Sequence, residues 1–307
     1  MSVLVAGNLV LDQLLWPVEK IRWDATVWVE KLVRSIGGNG ANTSYALAKL
    51  GMPVMLEGAV GEDAEAEEIL RMLREVGVDV ERVRRVKEPT PATVALVKKT
   101  GSRAFIHRPG ASRVSLQEPI EMPVAKHFHV ANPFGVVAMR KMAPVNLERA
   151  KAAGMTTSLD AGWDSKGEWG AVALPCCPYL DVIFLNAEEG RLITGKRSAK
   201  ESVKALHEAG VKYVVLKQGK KGAMLSGPGF SASIPGYPVE AVDSTGAGDV
   251  FAGAFLAAWL KGQSMTEAAQ FANAAAAMSV MAVGSVAGVQ GFRETIGWMR
   301  SQGSPSS

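Results

Sequence analysis

The sequence predicts an α/β fold with a mostly parallel central sheet and a small second β-sheet, and three observations carry that prediction. Residues 2–10 are apolar and β-branched, as a strand buried on both faces would be. From about residue 126 onward, strand-like runs alternate with helical ones, the pattern of a parallel sheet with crossover helices. Near the C-terminus a glycine-rich turn, Asp243-Ser244-Thr245-Gly246-Ala247-Gly248-Asp249, runs straight into an apolar helix over 250–260 that Gly262 ends.

In chain order, the strand over 2–10 leads directly to Asp12, at the edge where open parallel sheets bind ligands. A turn-forming aspartate is the alternative for Asp12. Residues 26–36 read as a partly exposed strand that includes Trp28. Gly37-Gly38-Asn39-Gly40-Ala41-Asn42 then opens a helix over 43–50, stopped by Gly51. Its glycines allow close backbone approach to a ligand, and Asn42 offers both a donor and an acceptor. A strand over 54–60 and a helix over 62–76 follow. Residues 93–97 and 104–108 flank Lys99-Thr100-Gly101-Ser102 as a hairpin, which with the Trp28 strand makes the small sheet.

The alternating half has strands over 127–131, 156–159, 181–185 and 213–216, with a helix over 145–153. Asn186 followed by Glu189 is a capping box at a helix start. Lys217-Gln218-Gly219-Lys220-Lys221-Gly222 is a short turn with glycine at both ends, suited to phosphate contact or to a plain hairpin. Ser264 and Glu267 form a second capping box, opening an alanine-rich helix that carries Asn273. No repeat or long linker interrupts the chain, so residues 1–300 read as one domain with inserted segments at about 13–36 and 90–108. Residues 301–307 read as a polar, disordered tail.

Composition narrows the function classes. The chain has 307 residues, 48% of them hydrophobic, with a formal charge of +4. Lys and Arg are scattered, so no nucleic-acid partner is expected. Cys176 and Cys177 are adjacent and the only cysteines, which gives neither a zinc spacing nor a disulfide framework and fits reduced thiols in a cytoplasmic protein. No leader segment and no apolar run of membrane-spanning length is read.

The chemistry concentrates on the glycine-rich turn. Gly246, Ala247 and Gly248 let backbone N–H groups point one way, and the helix behind them adds its positive end, which makes an anion cradle. Asp249 places a carboxylate at the helix start, where an anion receptor would not want one and an enzyme taking a proton beside a phosphate would. A capping role is the alternative for Asp249.

These residues carry a resemblance. Asp-Ser-Thr-Gly-Ala-Gly-Asp at 243–249 resembles the C-terminal signature of the ribokinase-like (PfkB) carbohydrate kinases, usually Asp-Thr-Thr-Gly-Ala-Gly-Asp. Gly37 to Asn42 resembles their N-terminal signature, with Asn39 where ribokinase has lysine. The resemblance implies a three-layer α/β/α fold with the small sheet as a lid over the sugar. It implies ATP and Mg2+ as cofactors, with K+ as a further candidate, and phosphoryl transfer from ATP to a sugar hydroxyl. Asp249 would be the base and Gly246, Ala247 and Gly248 the oxyanion cradle. Asp12, Gly38, Asn39, Asn42 and Arg108 would contact the sugar. Asn186, Lys217, Gly219, Gly222 and Asn273 would contact the nucleotide. Glu189 would organise magnesium through water, while Asp243 and Thr245 would hold a monovalent cation. A homodimer through the lid is expected. Asp160-Ala161-Gly162-Trp163-Asp164 stands where many members have Asp-Pro-Asn-x-Arg, so no arginine contact is carried over here.

Two rival readings remain. A nucleoside kinase of the same superfamily would need an aromatic slot, which Trp16, Trp23 or Trp28 could supply. A non-catalytic sugar or nucleotide sensor would have no need of Asp249 as a base. A dinucleotide-binding dehydrogenase is disfavoured, because no Gly-x-Gly-x-x-Gly follows the first strand.

Overall fold

A computed structural model gives the fold and describes residues 2–100 and 102–302. The first half of the chain runs β1 (Val3–Gly7), β2 (Val10–Trp16), β3 (Lys31–Gly37), α1 (Asn39–Lys49), β4 (Val54–Gly61), α2 (Ala64–Glu75), β5 (Val78–Asp79), β6 (Val83–Val86), β7 (Ala92–Val97) and β8 (Arg103–Arg108). The second half runs β9 (His127–Ala131), α3 (Met139–Ala152), β10 (Thr156–Asp160), α4 (Trp169–Ala173), β11 (Val182–Asn186), α5 (Ala187–Thr194), α6 (Ala199–Glu208), β12 (Tyr213–Lys217), β13 (Gly222–Gly227), β14 (Phe230–Pro235), α7 (Ala247–Leu260), α8 (Met265–Ser279) and α9 (Phe292–Ser301).

The strands make two sheets. The large one is ordered β14-β13-β12-β11-β10-β9-β1-β4-β5, with β6 also on β4. It is parallel from β12 through β4, and antiparallel only where β13 and β14 fold back. One hydrophobic cluster packs α1, α2, α7 and α8 on one face, and a second packs α3 and α6 on the other. Burial on both faces explains why β1 is apolar throughout. The small sheet is ordered β3-β2-β7-β8.

The run 2–10, expected as one strand, is two strands in different sheets. Asn8 breaks it, because its carbonyl accepts from Ala41 N–H (3.2 Å) and its side chain from Asn39 N–H (3.1 Å). The chain therefore leaves β1 to satisfy the start of α1, and Val10 begins the small sheet. Asp12 accordingly lies within β2, opposite Thr93, and not at the end of the central strand. Other boundaries move as well. The strand expected over 26–36 begins only at Lys31, leaving Trp28 in an irregular and 88% exposed segment. Helix α1 starts at Asn39, four positions before the expected 43, so Asn39 and Asn42 share its first turn. Helix α3 runs through Pro144 and starts at Met139. Ser301 ends α9, so it is not part of a tail, and residues 303–307 lie outside the described residues.

Helices α1 and α7 carry the two glycine-rich signatures and touch at Gly253. A Cβ on Gly253 would sit 3.0 Å from both Ala46 Cβ and the Thr43 carbonyl. Glycine here costs helix propensity but permits the close approach. Gly253→Val should overpack this contact and lower stability by about 1–3 kcal/mol, read by chemical denaturation. An unchanged denaturation midpoint would mean that the helices have room to spare.

Candidate active site

Helix α7 begins at Gly246, whose backbone is left-handed (φ 72°). Glycine is required there: a Cβ would meet Ser285 at 2.7–2.8 Å. Among the described residues no side-chain cap is made at Gly246; the Ala247 N–H donates to the Ser244 carbonyl (3.4 Å), and the N–H groups of Gly248 and Asp249 follow it in the first turn. Asp249 sits in that first turn and is buried. Its two oxygens are held from α1: Oδ1 accepts from Asn39 Nδ2 (2.7 Å) and Oδ2 from Asn42 Nδ2 (2.8 Å). The asparagines are themselves fixed. Asn39 Oδ1 accepts from Asn132 Nδ2 (3.0 Å), and Asn42 Oδ1 accepts from Ser285 Oγ (2.9 Å). Asn39 and Asn42, expected as sugar contacts, thus orient the carboxylate, while still lining the space beside it.

Three connected spaces meet at this turn. A cavity of about 230 Å³, walled by Gly222, Tyr237, Val239, Asn273, Ala276 and Ala277, reaches Lys217 and Gly248. A polar pocket of about 300 Å³ joins Gly248 to Asp160, Asn186, Glu189 and Asp249. A third, of about 420 Å³, runs from Asp249 and Gly246 to Asp12, Gly38, Thr93 and Trp163, under the small sheet. Gly248 is common to the first two and Asp249 to the last two.

The first cavity fits a nucleotide: small side chains leave a flat apolar slot, and lysines stand at one end. Gly219 and Gly222 line it, and a Cβ on Gly222 would strike the Ile234 carbonyl at 2.1 Å. Asn273 also lines it, but its Nδ2 donates to the Ile234 and Pro235 carbonyls (3.1 Å each), so it fixes the end of β14.

The polar pocket is dominated by carboxylates. Lys217 Nζ contacts both oxygens of the buried Asp160 at 2.7 Å, and a Cβ on Gly248 would lie 3.1 Å from the same ammonium. Burial works against that charge, but Asp160 and Glu189 outweigh it and keep Lys217 an ammonium. This pair answers what fills the segment without the expected arginine; further along it, Arg140 binds Asp164. Glu189 completes the capping box by accepting from Asn186 N–H (2.8 Å). Burial raises its pKa to about 7, with Asp160 adding to the rise and Lys217 opposing it. Burial likewise raises Asp249 to about 6, helped by the charge of Asp160 and opposed by the two asparagine amides. Among the described residues, no group of three His, Cys, Asp or Glu side chains could hold a metal alone. The donor set instead fits a magnesium ion held chiefly by phosphate oxygens, with Glu189 at the pocket wall.

Asp12 belongs to β2 of the small sheet, with its carboxylate against Gly37 of β3, where a Cβ would overlap it. Burial raises its pKa to about 7, against a hydrogen bond from Thr93. Arg108 does not reach this pocket: it is exposed, and its Nη2 donates to the Thr90 carbonyl (2.9 Å). At the end of β8 it serves the junction with the large sheet. Trp23 and Trp28 are 92% and 88% exposed and line none of the three spaces, nor does Trp16, which packs under Lys31. The aromatic side chains lining the third space are Phe105, His107 and Trp163. Asp243 and Thr245 both meet the guanidinium of Arg103 from β8. The second oxygen of Asp243 accepts from Gly284 N–H (3.0 Å). A monovalent cation does not fit oxygens so engaged.

Asn8, Asn132, Arg103, Phe105 and Trp163 were not legible as site residues. Asn132 alone carried a signal, a polar residue ending a buried strand. The Lys217–Asp160 pair gives a test: Lys217→Met strands a buried carboxylate and should cost roughly 3 kcal/mol. Adding Asp160→Leu should recover most of it in a denaturant titration. Additive losses would show that the two are not coupled.

Comparison with known proteins agrees with this geometry. The model of the pfkB family carbohydrate kinases matches residues 2–290. Among curated proteins, the chain is 32% identical to a ribokinase of Arabidopsis thaliana, over 81% of this chain and 68% of that one. It is 31% identical to an ATP-dependent ribose-1-phosphate kinase of Halopiger xanaduensis, over 84% and 89%. Among solved structures, Arabidopsis thaliana ribokinase complexed with ribose and ATP superposes with a TM-score of 0.84 at 26% identity, covering 97% of this chain and 98% of that one. The chain belongs to the pfkB family of carbohydrate kinases.

Proposed function

We propose that this chain transfers the γ-phosphoryl group of ATP to a hydroxyl of a small carbohydrate, with Asp249 as the general base. The observation that carries the reading is the position of Asp249, which is shared by the polar pocket and the acceptor pocket and held by two amides so that it faces both. ATP lies in the slot beside Ala276 and Ala277, with its phosphates toward Gly248 and Lys217. The acceptor lies under the small sheet, with Asp12 accepting from its hydroxyls. Asp249 takes the proton of the attacking hydroxyl as the new O–P bond forms and ADP leaves, while the N–H groups of the cradle hold the phosphoryl oxygens.

Asp160, Glu189 and Asp249 surround a single ammonium, Lys217, so a triphosphate needs further positive charge to enter. Glu189 would hold a magnesium ion through water, and such an ion would supply that charge to the phosphate oxygens. The small sheet acts as the lid that keeps water from the phosphoryl group.

A second reading has support in Phe105 and Trp163, which are 58% and 59% exposed at the acceptor pocket. Trp163 packs edge-on against the buried Trp169 (5.1 Å) and is thereby steadied. An acceptor carrying an aromatic base, a nucleoside, would cover both rings. A panel of sugars and nucleosides with ADP release as readout separates the two readings, and no release with any acceptor would sink both. With the best acceptor, Asp249→Asn should lower kcat by at least ~10²-fold while ATP still binds. Since the base works ionised and burial raises its pKa in the free protein to about 6, wild-type kcat/KM for the acceptor should fall as pH drops through that value. A wild-type-like rate for the asparagine variant would remove Asp249 from the role.

The lid has an outward apolar side, with Leu32 and Ile106 each more than half exposed. A second copy of the chain would bury it, giving a homodimer through the small sheets. Sedimentation equilibrium should return twice the chain mass, and Ile106→Asp should return the single mass; a monomeric wild type would refute the pairing.

A further inference from the structure

We infer that Arg103 takes the place of a monovalent cation beside the anion cradle, and that it does so from the lid, so that seating the small sheet and setting the cradle are one event. The inference rests on the kinase reading above. Arg103 is the first residue of β8, in the strand that follows the hairpin turn, and pairs with Val97 of β7. Its side chain is only 16% exposed, and the Asp243 carboxylate it meets only 5%. Nη1 lies 2.5 Å from Asp243 Oδ1 and also contacts Thr245 Oγ1. These are the two side chains best placed to ligate a cation next to Gly246.

The Asp243 carboxylate joins three segments that are far apart in sequence. Oδ1 accepts from Arg103 of the lid and from Thr245 N–H (2.8 Å), which immediately precedes the cradle. Oδ2 accepts from Gly284 N–H, in the loop after α8. That loop touches the lid again: Ser285 Oγ lies between the Ile36 carbonyl of β3 and Asn42 Oδ1 and shares its one proton between them. Arg103 and Ser285 therefore tie opposite edge strands of the small sheet to the turn that bears Gly246 and to the asparagine that aims Asp249. One guanidinium neutralises one carboxylate here, and its planar donors suit a carboxylate and a hydroxyl side by side. A potassium ion on the same oxygens would face that guanidinium at close range, with like charges in a partly buried site. Arg103 acts through the turn and is a positioning residue.

The test uses Arg103→Met and Arg103→Lys beside the wild type. Melting temperature is measured without substrates, in choline chloride against potassium chloride at equal ionic strength; kcat and KM are measured in the same buffers with magnesium saturating. The wild type should be indifferent to potassium in both readouts. Arg103→Met should lose about tenfold or more in kcat with the KM for ATP nearly unchanged. It should also gain a potassium response, with a higher melting temperature and a partly restored rate. Arg103→Lys should stay close to the wild type and indifferent to potassium. A several-fold activation of the wild type by potassium would overturn the inference. So would a methionine variant with a wild-type rate, or one whose lost rate and melting temperature ignore potassium. If the methionine variant fails to fold, the wild-type titration and the lysine variant decide. The melting readout needs no turnover, so it stands whatever acceptor the enzyme proves to use.

Discussion

Asp249 reaches the pocket from α7, yet what holds it comes from α1, 210 and 207 positions earlier in the chain. The proposed chemistry depends on that grip between distant parts of the chain. A carboxylate buried without partners would take up a proton and stay neutral at neutral pH. Two amide donors oppose this, leaving Asp249 at about 6, low enough to be ionised and high enough to accept a proton. The grip in turn needs the two helices pressed together, which Gly253 allows, and it needs Asn39 and Asn42 each to have a second partner that stops rotation. The placement of Asp249, the proposed base, is therefore a product of packing as much as of its own motif.

The neighbouring charges follow the same logic at lower cost in partners. Lys217 is the ammonium of the polar pocket, and it lies between Asp160, which it pairs with, and the cradle glycine it nearly touches. A lysine is a compact point charge on a flexible stem, so it can follow an oxygen anion without leaving its carboxylate. Glu189, at about 7, is spent partly on capping α5 and partly on facing the pocket. The capping reading of Asn186 and Glu189 is met by this geometry, which also leaves both residues lining the polar pocket.

What the sequence made legible was local. Glycines with forced backbone conformations, capping boxes at Asn186 and Ser264, and apolar runs with the right neighbours are all encoded within a few residues. The break at Asn8 was hidden, because it exists only to serve α1, whose start lies some thirty positions on. Arg103 and Asp243 are 140 positions apart, and Lys217 and Asp160 are 57 apart. Such pairs carry no periodic signal, so the motif residue is visible and its partner is not. Arg108 shows the converse: an arginine at the end of a strand near the pocket, whose hydrogen bond goes to the Thr90 carbonyl.

The glycine turn is also a shared wall. Gly248 faces the nucleotide slot and the polar pocket, while Gly246 and Asp249 face the polar pocket and the acceptor pocket. A phosphoryl group passing from one side to the other stays against the same few N–H groups and does not leave the field of α7. A side chain at Gly246 would collide with Ser285, and one at Gly248 would press on Lys217, so each glycine also protects a neighbour that the site needs. Water is the competing acceptor at such a wall. It is excluded only when the small sheet is seated, and Asp12, Thr93 and Phe105 line the acceptor pocket from that sheet. With the acceptor bound there as proposed, recognition and water exclusion would be made by the same strands, so a bound sugar would stabilise the arrangement in which its own hydroxyl is the nucleophile nearest Asp249.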